Sequence, residues 1–384
     1  MGLAACLIVK DASATLRRAL TALAPAVDEI VVYDTGSSDG SRELALSFGA
    51  TLVDGYWDDD FARARNDAMA HVRSDWVLSV DADEYATVDV PALRALLTSP
   101  SPVRYSVEIT NAAPAGAYAF RTVRLVRRDG ARWVGAVHED LTVSGDAPLV
   151  AIPTDVLRFD HDGYADETLA RTKALRNAQI GMAEVEALRS DPAADPARLR
   201  RALLDLGRSL VAAGRSDLSV AAFDAVRLMG TADDLWARAT DHLTRVRLES
   251  GAFADALSLV REMRRSGVDR QYCDWLEAQA LAQTGSPARA VELLSSITVL
   301  DDPSGHRYDL GRVVEFRALA HVLAGDVDAA VDAMLTAMTQ YGRLGDRAAL
   351  VRSWWTPRPV SDLVDAARRS GGPFVAEAVA ALAA

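Results

Sequence analysis

The sequence predicts two domains, an α/β domain on a mostly parallel sheet followed by an all-α helical-repeat domain. Three observations carry this prediction. Short apolar runs alternate with segments of helical spacing up to about residue 80, the pattern of strands joined by crossover helices. Proline-punctuated extended runs follow from about 103, and beyond Tyr164 they give way to helix-length segments separated by recurring glycines. The expected boundaries are 1–165 for the α/β domain, 166–196 for a linking helix and linker, and 197–384 for the repeats.

Residues 3–9 form a continuous apolar run that suits a strand buried on both faces. Leu16, Leu20 and Leu23 then share one face of a helix over 13–24, with Arg17 and Arg18 exposed. A second strand over 29–33 ends in Asp34-Thr-Gly-Ser-Ser-Asp-Gly40, which has the composition of a loop. A helix over 41–48, a strand over 50–53, a helix over 61–72 and a strand over 76–80 complete the alternation. Ligands of such sheets gather at the carboxyl ends of the strands. Extended segments follow at 103–109, 118–126, around Trp133, at 149–152 and at 156–159, with Pro91, Pro100, Pro102, Pro114 and Pro153 read as turns.

Residues 169–188 read as one long helix, ended by the break Asp191-Pro-Ala-Ala-Asp-Pro196. Gly214, Gly251, Gly285 and Gly325 then recur at intervals of 37, 34 and 40 residues, and Ala256, Ala290 and Ala330 each stand five residues after a glycine. Glycine in the interhelical turn and a small residue at the helix crossing mark helix-hairpin repeats, and the pattern resembles a degenerate tetratricopeptide array. Ser219 takes the alanine position of the first repeat. Residues 352–359 read as a turn before a last helix over 361–369, and Trp354-Trp355 offers a surface for a homodimer.

A formal net charge of −12 argues against nucleic acid or an anionic membrane as the main partner. Cys6 and Cys273 are the two cysteines, too far apart in sequence for a redox or metal-ligand spacing, so both are expected as buried thiols. The apolar start is too short for a signal peptide, and no run reaches the length of a membrane span. A soluble, cytoplasmic protein is expected.

Asp81-Ala-Asp83-Glu84 is the segment richest in chemistry, because it puts two carboxylates one residue apart at the end of an apolar strand. Mg²⁺ and Mn²⁺ prefer carboxylate oxygens and commonly bind through one or two of them while phosphates and water complete the shell. The competing expectation is a turn and helix cap. Four blocks in order weigh against it: Leu7-Ile-Val-Lys10-Asp11, Ile30-Val-Val-Tyr-Asp34-Thr-Gly-Ser-Ser-Asp39-Gly40, Asp60-Phe-Ala-Arg63-Ala-Arg65-Asn66 and Asp81-Ala-Asp83-Glu84. Together they resemble the family 2 glycosyltransferases of the GT-A fold over roughly residues 1–165. Val137-His138-Glu139 and His161-Asp-Gly-Tyr164 extend the similarity to the subgroup of glycocin peptide S-glycosyltransferases with helical-repeat tails.

That resemblance implies a donor site for a nucleotide-sugar, with a UDP-sugar preferred. Asp34 and the Val9 backbone would hold the base, with Lys10 in the same donor set. Asp39 would serve the donor or act as a helix cap, and Arg65 would contact the diphosphate or pair with Asp60. Asp83 is the expected direct ligand of Mn²⁺ or Mg²⁺, with Asp81 toward the ribose or bridging through water. His161 is implied as a second ligand. Glu139 is the candidate base of an inverting transfer and Asp140 the second choice. His138, Arg124 and Arg127 are candidates for the acceptor cleft or a phosphate. The catalytic segment is short, so the repeats are expected to supply part of the acceptor surface, for a peptide, protein or secondary metabolite. Two rival readings stand beside this one. One is a repeat scaffold with an inactive nucleotide-binding domain. The other is a sugar nucleotidyltransferase, disfavoured because Lys10-Asp-Ala-Ser-Ala14 lacks glycine.

Overall fold

The computed structural model describes residues 1–98, 104–111, 118–145, 147–161 and 167–384. Val103, Pro100, Pro102, Pro114 and the Asp162–Tyr164 end of the His161 motif lie outside them. The chain divides into two compact units, Met1–Ser219 and Val220–Ala384.

The first unit opens with β1 (Leu3–Val9), α1 (Ser13–Leu23), β2 (Glu29–Asp34), α2 (Ser41–Ser47), β3 (Thr51–Asp54), α3 (Phe61–Ala70) and β4 (Trp76–Ser79). β1 pairs in parallel with β2 on one side and β4 on the other, and β2 with β3. Because successive side chains of a strand point to opposite faces, β1 feeds two cores. Leu3, Ala5, Leu7 and Val9 pack with Leu16, Leu20 and Leu23 of α1, while Ala4 and Cys6 join Ala64, Ala68 and Met69 of α3. This double burial is why the run 3–9 has no polar alternation. Removing its apolar surface from water is worth about 25 cal/mol per Å².

After the acidic couplet come β5 (Glu84–Val88), α4 (Val90–Leu96), β6 (Arg104–Asn111), β7 (Tyr118–Arg127), the hairpin β8 (Ala131–Val134) and β9 (Asp140–Val143), β10 (Leu149–Ala151) and β11 (Leu157–His161). The main sheet runs β3-β2-β1-β4-β7-β6-β11-β5, with β10 also on β6. β7 is antiparallel to β4 and β6, β11 is parallel to β6, and β5 is antiparallel to β11. The expected mixed extension is therefore present. Two expectations are corrected. Pro91 does not make a turn; it occupies the first turn of α4, where its missing N–H costs nothing, and Asp89 caps that helix by accepting from the Ala92 amide. β5 follows the couplet directly, so the chain leaves it extended and not by a helix cap.

α5 (Glu167–Ser190) and α6 (Pro196–Ala212) close the first unit, and Asp195 caps α6 through the Ala197 amide. α7 (Ser216–Leu228) spans the division. The second unit is helical: α8 (Asp234–Glu249), α9 (Phe253–Arg265), α10 (Arg270–Gln283), α11 (Pro287–Ser295), α12 (Gly311–Leu323), α13 (Val327–Tyr341), α14 (Arg347–Trp355), α15 (Val360–Ser370) and α16 (Val375–Ala383). Gly251, Gly285 and Gly325 each follow a helix in the left-handed conformation that only glycine adopts freely. Ala256, Ala290 and Ala330 are fully buried, as a helix crossing requires. Residues 352–355 end α14 instead of forming a turn, and Trp354 and Trp355 pack, partly buried, against the core around Met334, Met338 and Leu363. No helix among the described residues is long and apolar enough to cross a membrane.

Gly55 lies flat against the Tyr33 ring, where an added Cβ would stand 2.2 Å from ring carbon Cε1. Gly55→Ala is expected to destabilise the protein by about 1–3 kcal/mol in urea melts, through overpacking. Cys6 and Cys273 are free and buried, and burial pushes both thiols up to about 12. Native protein at pH 8 is expected to resist iodoacetamide, with both cysteines labelling only on unfolding, as mass spectrometry would read.

Candidate active site

The carboxyl ends of β1, β2 and β4 form one edge. Val9 is in register with Asp34, and Cys6 with both Val31 and Ser79. Asp34 is 1% exposed and accepts from the Ser37 amide at 3.1 Å and from Arg42 Nη1 at 2.7 Å. Burial pushes its carboxyl up, but those hydrogen bonds outweigh it and hold the group below the usual range. The Val9 carbonyl accepts from the Thr35 amide at 2.9 Å. Lys10 reaches across the same loops, donating to the Gly36 carbonyl and lying 3.2 Å from Asp11. Asp39 accepts from the Ser13 amide at 2.8 Å and from Ser41 Oγ at 2.5 Å. It ties the start of α1 to the start of α2, whose N-cap position belongs to Gly40.

Next along this edge is a buried charge network. Asp81 accepts from Arg65 Nη2 at 2.6 Å on one oxygen and from Arg124 Nη2 at 3.1 Å on the other. Arg65 also donates from Nε to Glu139 at 2.5 Å and from Nη1 to Ser79 Oγ at 3.2 Å, with its guanidinium over the Trp133 ring. Arg124 donates to Glu84 at 2.6 Å, and Glu84 accepts from the Asp81 amide. Burial opposes ionisation of Asp81, yet the two guanidiniums hold its carboxyl well below the usual carboxylate range. Burial instead pushes Glu84 up, with Arg124 offsetting only part.

Asp83 meets a different set of partners from Asp81. Its Oδ2 is 3.3 Å from His161 Nε2 and 3.7 Å from Lys173 Nζ of α5. Strand register makes the first contact: His161 stands opposite Glu84 of β5 and beside Asn111 of β6. Asn111 Oδ1 lies 2.7 Å from His161 Nδ1, which donates to it, and Nε2 faces Asp83, to which it donates when the ring is protonated. Burial alone would lower the imidazole; the hydrogen bond and charge of Asp83 raise it, and His161 in turn lowers Asp83 against its burial. An oxygen and an imidazole nitrogen converging with a carbonyl-type oxygen behind the ring suit a small divalent cation. Among the described residues no three His, Cys, Asp or Glu side chains gather in this way, so phosphate and water would have to supply most of the shell.

Residues 5–103 match the family model described as glycosyl transferase family 2. The first unit carries a family 2 glycosyltransferase domain. A TPR repeat-containing protein of Synechococcus elongatus is 35% identical over 175 residues, 43% of each chain. An uncharacterized glycosyltransferase of Rickettsia prowazekii is 29% identical over 100 residues, 26% of this chain and 34% of that one. The chain thus spans less than half the length of these curated relatives. Among solved structures, residues 1–349 of S. aureus TarS in complex with UDP-GlcNAc align at 12% identity over 90% of this chain and 93% of that one, with a TM-score of 0.38. Glucosyl-3-phosphoglycerate synthase from Mycobacterium tuberculosis with Mn²⁺ and UDP-glucose aligns at 21% identity over 30% and 44%, with a TM-score of 0.24.

Within the first unit the structure brings together Arg65, Asp81, Asp83, Arg124, Glu139 and His161, with Val9, Lys10, Asp34 and Asp39 on the neighbouring strand ends. Arg65 does not pair with Asp60, whose carboxylate caps α3 through the Arg63 amide. His138 has a left-handed backbone (φ 53°), and its Nε2 lies 3.0 Å from Ser209 of α6. Asp140 is paired with Arg201 at 2.6 Å. Arg127 stacks over Trp76 at the start of β4, the far end from Asp81. Sequence reasoning missed Asn111 and Lys173, each remote from every motif. Glu84 stood within the quoted couplet, but nothing in its spacing marked it as the partner of Arg124.

Arg124→Leu would leave Glu84 and one oxygen of Asp81 without their cation. It is expected to cost about 3–5 kcal/mol in denaturant melts, the scale of breaking a buried pair from one side. Arg124→Leu with Glu84→Gln should recover part of that loss.

Proposed function

We propose that the protein is a metal-dependent, inverting glycosyltransferase that moves a sugar from a UDP-sugar to a peptide, protein or secondary-metabolite acceptor. The observation that carries this reading is the Asp83–His161 pair, set beside the Arg65–Asp81–Arg124 network at the carboxyl edge of a family 2 glycosyltransferase domain. The catalytic domain is assigned to residues 1–165, the link to 166–196 and the repeats to 197–384. The subgroup resembling glycocin peptide S-glycosyltransferases remains the preferred placement. Repeat arrays present extended surfaces suited to peptides, which favours a peptide or protein acceptor. Two buried free thiols fit a reducing, cytoplasmic compartment.

In this reading Asp34 and the Val9 carbonyl hold the base, with Lys10 and Asp39 fixing the loops around it. Asp83 and His161 hold Mg²⁺ or Mn²⁺, which supplies Lewis-acid neutralisation of the departing diphosphate. Asp81, with both oxygens on guanidiniums, orients Arg65 and the couplet. The acceptor attacks the anomeric carbon, the bond from that carbon to the phosphate oxygen breaks, and its electron pair leaves on the nucleoside diphosphate. The acceptor proton passes to Glu139, whose Oε1 is held by Arg65 and whose Oε2 takes the proton. Asp140 stands second, since its pairing with Arg201 draws it toward α6.

A panel of nucleotide-sugars assayed for hydrolysis and transfer tests this. Wild type is expected to turn over a UDP-sugar with Mn²⁺ or Mg²⁺. Asp83→Asn is expected to lose at least about 100-fold in rate, since several kcal/mol of charge stabilisation goes with the cation. Undiminished activity in excess EDTA, or nucleotide binding with no sugar release under any metal, would overturn the reading.

A further inference from the structure

The edge that this reading gives to the donor is itself acidic. Asp81, Asp83 and Glu139 line it with Glu84 buried behind them, and the two arginines among them are already taken: Arg65 by Asp81 and Glu139, Arg124 by Asp81 and Glu84. Lys10 is engaged with the Gly36 carbonyl and Asp11. One divalent ion matches the charge of a bound nucleotide-sugar diphosphate but falls short of the charge on the nucleoside diphosphate that departs, and the arginines here are already engaged by carboxylates. Lys173 stands apart from the other cations. It projects from α5, is 45% exposed, and its ammonium lies 3.7 Å from Asp83 Oδ2, beyond hydrogen-bond length and on the oxygen nearest His161. Among the described residues it makes no hydrogen bond.

We infer that Lys173 is a donor-binding residue that contacts the diphosphate of the nucleotide-sugar and stabilises the leaving nucleoside diphosphate. This rests on the nucleotide-sugar reading above. A lysine carries a compact charge on a flexible four-carbon stem, so it can leave Asp83 when a cation arrives and follow the phosphate oxygens. As the bond between the anomeric carbon and its phosphate oxygen breaks, the electron pair settles on the terminal phosphate, and the ammonium offsets that growing charge without giving up a proton. α5 lies outside the residues that match the family model, so the contact is supplied by the helix that follows the catalytic strands.

Calorimetric titration of the full chain with UDP and with UMP, in Mg²⁺ and again in EDTA, tests the inference. Lys173→Ala is expected to weaken UDP binding about tenfold, the scale of one charged hydrogen bond, and UMP binding less than about twofold. Lys173→Arg should recover most of the preference for UDP. Mn²⁺ binding to the nucleotide-free protein, followed by electron paramagnetic resonance, should be as tight or tighter in Lys173→Ala, because a competing charge beside Asp83 is gone. A structural role would weaken both ligands together. If wild type prefers UDP to UMP and Lys173→Ala keeps that preference, the inference is overturned while the donor reading stands. If wild type binds none of UDP, GDP or ADP, the donor reading fails and the inference falls with it.

Discussion

Two guanidiniums buried against one carboxylate hold this site together. Arg65 comes from α3, Arg124 from β7 and Asp81 from the turn after β4, so their meeting fixes three elements at the carboxyl edge of the sheet. Taking such charges out of water costs several kcal/mol per ion and is repaid only when the geometry is good and the remaining donors are satisfied. Ser79, Glu84 and Glu139 complete most of that set. The network therefore determines where the neighbouring groups can lie. Glu139 is anchored at one oxygen, and Asp83 is left to His161 and Lys173.

The couplet thus divides its labour between its two acids. Each oxygen of Asp81 accepts a hydrogen bond from a guanidinium of the protein itself. Among the described residues Asp83 meets a histidine and, farther off, a lysine. The difference comes from which strands lie alongside: β7 brings Arg124 to Asp81, and β11 brings His161 to Asp83.

Much of the fold was legible because periodicity reports burial. β1 reads as an uninterrupted apolar run because both its faces are covered, and the glycine spacing of the repeats reflects left-handed turns that other residues enter only with strain. β5 and α4 were not legible. Glu84-Tyr-Ala-Thr-Val88 is short and its burial depends on β11, while Pro91 signals a stop unless Asp89 is known to cap the helix behind it. The site was legible as motifs but not as pairs. Arg65 and Glu139 are 74 residues apart, and no local pattern records that one holds the other. His138 and Asp140, adjacent to Glu139, turn to α6 because the left-handed backbone at His138 redirects the chain.

The antiparallel match of β11 with β5 has an evolutionary corollary. Side chains alternate sides along a strand, so sliding β11 by one place would present Asp160 where His161 now stands and exchange an imidazole for a carboxylate beside Asp83. Length changes in the connections before β11 leave that alternation untouched, whereas a single inserted residue within β5 or β11 shifts which side chain faces Asp83 unless a bulge absorbs it. The connections can therefore lengthen freely, while these two strands accommodate an added residue only as a bulge.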